Sequence, residues 1–422
     1  MNKKRLNRLG LSRVAEPVSK ATALRGGHTT AFDRWLLENM VRRLGGTPVD
    51  IELWDGSRAD GCMTEPAVRI RIGDRGALFG LVLNSSLKFG DYYSEGRVTV
   101  EGDLTNLVEQ TSSGIPYTQS PLDRAKDFLG LLRSTQNPRF SRRDIHHHYD
   151  IGNDFYQMWL DRVAMQYTCA YYYHDSATLE EAQIAKMHHV CRKLDLRPGE
   201  TVIEGGCGWG GFALFMAKYY GVNVRAYNLS REQIAHAKAW ANTENLDGQV
   251  EFVLDDFRNA SGLCDAFVSI GMVEHIGRGN YRSVGQVIDN CLKENGRGLL
   301  HFIGRDRRAP VNPWIARRIF PGTYPPTLKQ LGIIFEPSGL SVLDVENLRP
   351  HYARTVTDWL NRYEASADRI VDMFDATFYR AWKLYLAGAV ATFNLGRLQL
   401  FQILFARTGR NPVPVTRAHQ YE

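Results

Sequence analysis

Cysteine is scarce in this sequence and follows no pattern where it occurs. The six cysteines, at positions 62, 169, 191, 207, 264 and 291, form no C-x-x-C pair and no short framework. A disulfide-stapled secreted scaffold and a structural zinc module are therefore poor readings. Long apolar runs are also missing. The longest candidate, Leu384 to Ala406, is interrupted by Asn394, Arg397, Gln399 and Gln402. A helix buried in protein tolerates those residues better than one at a bilayer centre. The basic N-terminus is not followed by an apolar core segment, so no secretory signal is visible. Internal repeats and low-complexity tracts are absent. What is present is ordinary: 44% hydrophobic and 23% charged residues in 422 positions. That composition excludes a mainly disordered, collagenous or coiled-coil chain, and the length allows two or three domains.

Neither sign of charge dominates. Lys and Arg number 52 against 46 Asp and Glu, a net +6 that does not by itself indicate nucleic acid. The positive charge is clumped, however. Residues 1–27 carry seven Lys/Arg against the single Glu16. Arg139, Arg142 and Arg143 form a second cluster, and Arg305, Arg307 and Arg308 a third, followed by Arg317 and Arg318. The bland reading is solvated surface. The functional reading is attraction to polyanions, anionic lipid headgroups included.

Residues 1–27 read as a basic tail. A smaller α+β domain follows over 28–112, opening with an amphipathic helix, Ala31 to Leu44, whose Phe32, Trp35, Leu36 and Met40 share a face. Short alternating runs predict strands at Val49 to Trp54, Ala67 to Ile72 and Arg97 to Glu101. Between them, Leu78 to Leu87 and Leu104 to Gln110 read as helices. The domain carries no catalytic cluster. Residues 113–139 read as a linker with a short helix at 122–132. The remaining domain, 140–422, alternates strands and helices. Thr178 and Glu181 form a capping box ahead of a helix reaching Lys193. Five apolar strands follow, at 201–204, 222–227, 250–254, 266–270 and 298–303, separated by helices. That order predicts a parallel, doubly wound α/β sheet. Apolar runs at 333–335 and 340–345 are candidates for edge strands.

The first of these strands runs into Glu204-Gly205-Gly206-Cys207-Gly208-Trp209-Gly210-Gly211. Glycines let a ligand approach the main chain, and the next helix offers its N-terminus. A dinucleotide site calls for an acid at the end of the second strand. Here that strand ends Arg225-Ala226-Tyr227-Asn228, with no acid. The acid is Glu204, ahead of the glycines, where it would repel a pyrophosphate but hold a cation. S-adenosylmethionine (SAM), with an ammonium and a sulfonium, suits such a site. Asp255-Asp256 at the end of the third strand could meet an adenine amino group. The pattern resembles the class I SAM-dependent methyltransferases.

The resemblance narrows along the chain. His148-Tyr149-Asp150-Ile151-Gly152-Asn153-Asp154-Phe155-Tyr156, Gln166-Tyr167-Thr168-Cys169-Ala170-Tyr171 and the glycine turn are similar to motifs of the cyclopropane-fatty-acid synthase and mycolic acid methyltransferase family. Gly271-Met272-Val273-Glu274-His275-Ile276-Gly277, Leu300-His301-Phe302-Ile303-Gly304, Pro313-Trp314-Ile315 and Ile319-Phe320-Pro321-Gly322 continue the match over about residues 138–408. The preceding domain more loosely resembles the lipid-binding domain of bacterial phospholipid-modifying members. The resemblance implies a seven-stranded methyltransferase sheet. It also implies transfer from SAM to the cis double bond of a phospholipid acyl chain. An alkene attacks the methyl, leaving a carbocation that must lose a proton before a cyclopropane ring closes. The family is understood to hold bicarbonate as the base.

Carried over by motif, the bicarbonate cage would be Cys169, Glu274, His301, the main chain at Ile303, and Tyr352. Tyr167, Thr168, Glu204, Gly206, Gly208 and Gly210 would surround the methionine part of SAM. Asn228, Leu229 and Gln233 would reach the ribose, and Asp256 and Phe257 the adenine. Tyr171, Phe302 and Trp314 could face the cation or simply line a tunnel. His146 to His148 cannot share one face of an element and have no carboxylate partner by spacing, so no metal site is expected. The chain departs from the family pattern at Glu204 (usually Asp), Gly205 (Ile), Thr168 (Ser), Asn228 (Thr) and Phe302 (Thr). Gly205 is expected to loosen the strand end, and Phe302 to bear on the product. The expected partners are an unsaturated phospholipid and an anionic membrane surface. The expected location is cytoplasmic, on the inner face of the cell membrane. A homodimer would pair catalytic units on one membrane patch, though no motif demands it. The alternative product is a methylene- or methyl-branched acyl chain.

Overall fold

The computed structural model describes residues 27–44, 47–59, 67–113, 151–409 and 415–421. The first 26 residues of the basic tail, Cys62, the helix expected at 122–132, the cluster Arg139/Arg142/Arg143 and His146 to His148 lie outside them. The chain divides into two compact units. The first comprises 1–121, 311–321 and 359–395, and the second the remaining segments, 122–310, 322–358 and 396–422.

The first unit opens with helix α1 (Ala31–Arg43), strands β1 (Val49–Glu52) and β2 (Val68–Ile72), helix α2 (Arg75–Glu95), strand β3 (Val98–Gly102) and helix α3 (Leu104–Ser113). Thr30 and Asp33 form a capping box at the start of α1, and Arg75 pairs with the same Asp33 at 2.7 Å. The β-sheet order is β1-β2-β3, with β1 parallel and β3 antiparallel to β2. Val68, Ile70 and Ile72 of β2 face the core, while Arg69 and Arg71 face out to Asp50 and Glu52. On α1 the expected face is corrected. Leu36 and Leu37 are buried, whereas Phe32 and Trp35 stack on each other about half exposed. Asp33, next to Phe32 in sequence, takes a buried position on the helix and is paired there with Arg75.

The second unit carries helix α4 (Asn153–Gln157) and helix α5 (Leu179–Lys193), the latter with its Thr178/Glu181 capping box in place. Next come β4 (Thr201–Gly205), α6 (Gly211–Tyr220), β5 (Asn223–Asn228), α7 (Arg231–Glu244), β6 (Val250–Leu254) and β7 (Cys264–Ile270). The chain continues through α8 (Val273–Ile276), α9 (Tyr281–Cys291), β8 (Leu292–Gly304), α10 (Leu328–Phe335), β9 (Leu340–Asn347) and α11 (Arg349–Ala365). Helices α12 (Ala367–Met373) and α13 (Ala376–Asn394) belong to the first unit, and β10 (Gln399–Arg407) to the second. The sheet has seven strands in the order β6-β5-β4-β7-β8-β10-β9, antiparallel at β10 against both its neighbours. This is the expected doubly wound α/β fold. Two segments differ from expectation. Residues 333–335 close helix α10 instead of forming a strand. The apolar stretch from Leu384 breaks at Gly396, in the left-handed region at φ 67°, so its second half is the inserted strand β10.

The segments 311–321 and 359–395 supply core to the first unit. Trp314, Ile319, Ala381, Leu384 and Ala387 are buried in one cluster with Leu36, Ile51, Ile70 and Leu78. Gly90 of α2 lies flat under the Trp314 indole, where a Cβ would come within 2.5 Å of three ring atoms. Trp314, which could have faced a reacting cation or lined a tunnel, is thus a core residue of the first unit. The five described cysteines are all free and buried. Among the described residues no helix is long and apolar enough to cross a membrane, and no cluster has metal-ligating composition.

Candidate active site

The carboxyl ends of β4, β5 and β6 open onto a cavity. This is where an open α/β sheet places its ligand. Gly206 and Cys207 donate their N–H groups to the Tyr227 carbonyl at 3.0 Å each, which folds the glycine turn back onto β5. Gly206, at φ 94°, has no room for a Cβ, which would sit 2.3 Å from Met272. Every residue assigned to the cofactor lines this cavity except Gly210. Gly210 starts α6 instead, at φ 89°, packed so closely on Ala237 and Phe252 that a Cβ would fall 2.7 Å from each.

Glu204 is the deeply buried acid on the wall. It is 2% exposed, and its Oε2 has no hydrogen-bond partner among the described residues. Burial raises its carboxyl to about 8, against a smaller pull from Lys186. An unpartnered buried carboxylate on a cavity wall fits the ammonium of SAM. Gln233 adds a second unpartnered atom, Nε2, because its Oε1 accepts from Asn228 at 2.8 Å. Asn228 is otherwise spent on the loop: its Nδ2 also donates to the Gly208 carbonyl, and its Oδ1 accepts from Ser230 N–H. Both oxygens of Asp256 are taken by the Arg258 guanidinium, at 2.9 and 2.5 Å. Gly205 does not loosen its strand. The Phe257 ring lies 3.2 Å from where a Cβ would stand, and Ser269 Oγ donates to the Gly205 carbonyl.

Lys186 is the residue that sequence reasoning passed over. It is fully buried on α5 and donates to Gln166 Oε1 and, at 3.1 Å, to Thr168 Oγ1. Burial lowers its ammonium to about 8. Gln166, His275 and Met272 also line the cavity unassigned. The signal for Lys186 was available: Gln183, Lys186 and Lys193 recur at helical spacing inside the buried stripe of α5.

The five residues assigned to the anion cage lie outside the cavity lining. Gly271 N–H, on the wall, donates to the His301 carbonyl at 2.8 Å. Glu274 Oε1 accepts from Ile303 N–H at 3.2 Å, so that amide holds the carboxyl. Glu274 Oε2 and His301 Nε2 are buried without a partner among the described residues. Desolvation raises Glu274 to about 7 and pushes His301 well below the usual imidazole range. The Cys169 thiol donates to the Ala170 carbonyl at 3.1 Å, and its pKa is raised well above the usual thiol value by burial, so it is not a thiolate. Cys169 also reaches the Leu348 carbonyl, which accepts from Tyr352 N–H. Leu348 N–H donates to Leu400, whose strand partner is Ile303. The five are therefore linked through β8, β10 and the start of α11. Tyr281 Oη is a further buried, unpartnered group, with Glu274 among its electrostatic neighbours.

Two of the aromatic expectations are corrected here. Phe302 points away from His301 by strand alternation and packs on Phe401 in the core. The Tyr171 ring is stacked on both His189, at 4.3 Å, and His351, at 4.6 Å, so neighbouring imidazoles occupy the face it would offer a cation.

Comparison with known proteins bears on the family and the fold. Residues 136–403 match the family described as mycolic acid cyclopropane synthetase, and 36–114 match a domain family of unknown function. A probable fatty acid methyltransferase of Pseudomonas putida is 32% identical over 89% of this chain and 96% of its own length. The cyclopropane-fatty-acyl-phospholipid synthase of Escherichia coli K12 is 38% identical over 64% of this chain and 69% of its own. Among solved structures, the Mycobacterium tuberculosis cyclopropane synthase MmaA2 superposes with a TM-score of 0.61 at 30% identity, covering 63% of this chain and 98% of its own. The chain belongs to the mycolic acid cyclopropane synthetase family and is a SAM-dependent methyltransferase.

Proposed function

We propose that this protein transfers a one-carbon unit from SAM to the cis double bond of an unsaturated phospholipid acyl chain and closes it to a cyclopropane. The observation that carries this reading is the pair Glu274 and His301. Each keeps one buried polar atom without a partner among the described residues; Glu274 precedes His275 of the cavity wall in sequence, and the His301 carbonyl accepts from the N–H of Gly271 on that wall. Such a pair has the donor and acceptor capacity to hold a small oxyanion. Bicarbonate fits that set, and the names of two relatives, a cyclopropane-fatty-acyl-phospholipid synthase and a cyclopropane mycolic acid synthase, support a lipid acyl chain as substrate.

When bound, SAM supplies the carbon and bicarbonate a base for the cationic stage. The chain's own work is positional. Glu204 meets the cofactor's ammonium, and Gln233 offers Nε2 to a hydroxyl. The Ile303 amide fixes one oxygen of Glu274 and leaves the other for the anion. With its carboxyl near 7, Glu274 can present either a proton or a lone pair at neutral pH. The neutral Cys169 adds no competing negative charge.

A second reading, a methyl- or methylene-branched product, is favoured by the P. putida fatty acid methyltransferase, which matches through both units. Expression in a host that makes unsaturated phospholipids but lacks such an enzyme separates the two. Mass spectrometry of the extracted acyl chains should find species heavier by one CH2. If mild catalytic hydrogenation leaves those species unchanged, the ring has closed. Uptake of two hydrogens would instead identify a methylene branch and sink the cyclopropane reading. A saturated methyl branch differs from a ring by two further hydrogens in the same spectrum.

A further inference from the structure

A row of polar side chains crosses three neighbouring strands behind the candidate cage. His301 of β8 stands opposite Gln402 of β10, and Gln402 opposite Glu346 of β9. Helix α5 lies over the row and adds two residues, Lys193 and His189. Lys193 Nζ donates to Gln402 Oε1 at 2.8 Å and to Glu346 Oε2 at 2.5 Å. His189 Nε2 lies 2.7 Å from the same Glu346 oxygen. His301, Gln402, Lys193 and His189 are all buried. Gln402 Nε2 completes the row, 3.1 Å from His301 Nδ1.

The donors and acceptors of this row permit one arrangement of protons. An ammonium has only hydrogens to give, so the Gln402 atom facing Lys193 is its oxygen. The other amide atom is then NH2, a donor, and it faces His301 Nδ1. That ring nitrogen must present its lone pair, because two donors cannot share the contact. A neutral imidazole with a bare Nδ1 carries its proton on Nε2. Nε2 is the atom left buried and without a partner. A hydrogen pointing into that space attracts an anion, whereas a lone pair there would repel one.

We propose that Gln402 and Lys193 are positioning residues that fix His301 as its Nε2–H tautomer, so that the ring donates a hydrogen bond to a bound oxyanion. The proposal rests on the reading of His301 as part of the anion cage. Its structural content, the tautomer, can be tested without turnover.

The test is nitrogen–proton correlation spectroscopy of the full chain with 15N-labelled histidine. The His301 signal is assigned by its loss in His301→Gln. The expected result is a proton on Nε2 and none on Nδ1. A proton on Nδ1, or on both nitrogens, overturns the proposal, and once the signal is assigned this wild-type measurement decides it even if Gln402→Glu does not fold. The variant Gln402→Glu turns the donor beside Nδ1 into an acceptor while keeping the contact to Lys193. It should move the proton to Nδ1 and lower turnover by roughly 10- to 100-fold, as loss of an orienting partner does. Its affinity for S-adenosylhomocysteine should not change, which also reports that it has folded. A proton that stays on Nε2 in Gln402→Glu overturns the role of Gln402. A proton that moves while turnover stays unchanged upholds the tautomer control, and it refutes the placement of His301 at the reacting centre.

Discussion

At the scale of single residues, burial sets the chemistry of the cofactor wall. Glu204 is held near 8 in the free protein because a carboxylate there has lost its water and gained no partner. An arriving ammonium stabilises the ionised form, so binding must expel the proton that Glu204 carries below pH 8. The sign follows. Affinity for S-adenosylhomocysteine, whose ammonium stays charged over this range, should tighten from pH 6 toward pH 8 and then level off. Titration calorimetry in buffers of different ionisation enthalpy should detect the released proton. Glu204→Gln should flatten the pH dependence and weaken binding by about 1.5–3 kcal/mol, the range for a hydrogen bond to a charged group. Lys186→Met removes the positive charge that pulls the Glu204 pKa down, so the same curve should move to higher pH. A pH-independent affinity in the wild type would refute the role given to Glu204.

At the scale of elements, the alternation of β8 separates chemistry from packing. His301 and Ile303 share one face, and Phe302 takes the other, against Phe401. Phe302→Thr, which restores the residue common in the family, should cost about 3–5 kcal/mol, as for emptying a buried aromatic site. The distribution of lipid products should not change. A changed product would mean that Phe302 reaches the reacting centre after all.

This strand also marks where sequence reading succeeds and where it stops. The strands at 201–204, 250–254 and 266–270 were legible because parallel strands covered on both sides are continuous apolar runs between turn residues. The lining of the cavity at the glycine turn was legible because the glycines and their carboxylate are adjacent in sequence. The strand β10 was not legible. Its sequence, Gln399–Arg407, continues an apolar helix with no proline and only one glycine at the break. Gln402 and Lys193 were equally hidden, because their meaning lies in partners 101 and 209 positions away. Tyr171 and Trp314 misled for the reverse reason: an aromatic near a motif in sequence need not face the site in space.

At the scale of the whole molecule, the charge clusters prove unequal. Arg305 is buried and donates through Nη1 to the Ala309 and Pro310 carbonyls, so it holds a turn and cannot face a membrane. Arg318 is spent on Asp91, at 3.0 Å. Arg307, Arg308 and Arg317 remain at the surface. Together with the lysines and arginines of residues 1–27 they carry the proposed adhesion to anionic lipid, at about 1 kcal/mol per charge near the surface. Sedimentation with phosphatidylglycerol vesicles should therefore weaken steeply as salt is raised, and Arg305→Gln should leave that salt dependence unchanged. Binding that ignores salt would leave electrostatic adhesion without support.

The interleaving of the two units has a consequence for how the chain is made. The core around Leu36 and Ile70 needs Ala381, Leu384 and Ala387, and the large sheet needs β10, which ends at Arg407. A ribosome adding about 5–20 residues per second takes roughly 20–80 s to deliver either set. For that interval the N-terminal apolar residues have one another but lack the part of their core that 311–321 and 359–395 supply. The first unit can close only after residue 395 is made, and the second only after β10 follows it, so both wait for the last tenth of the chain.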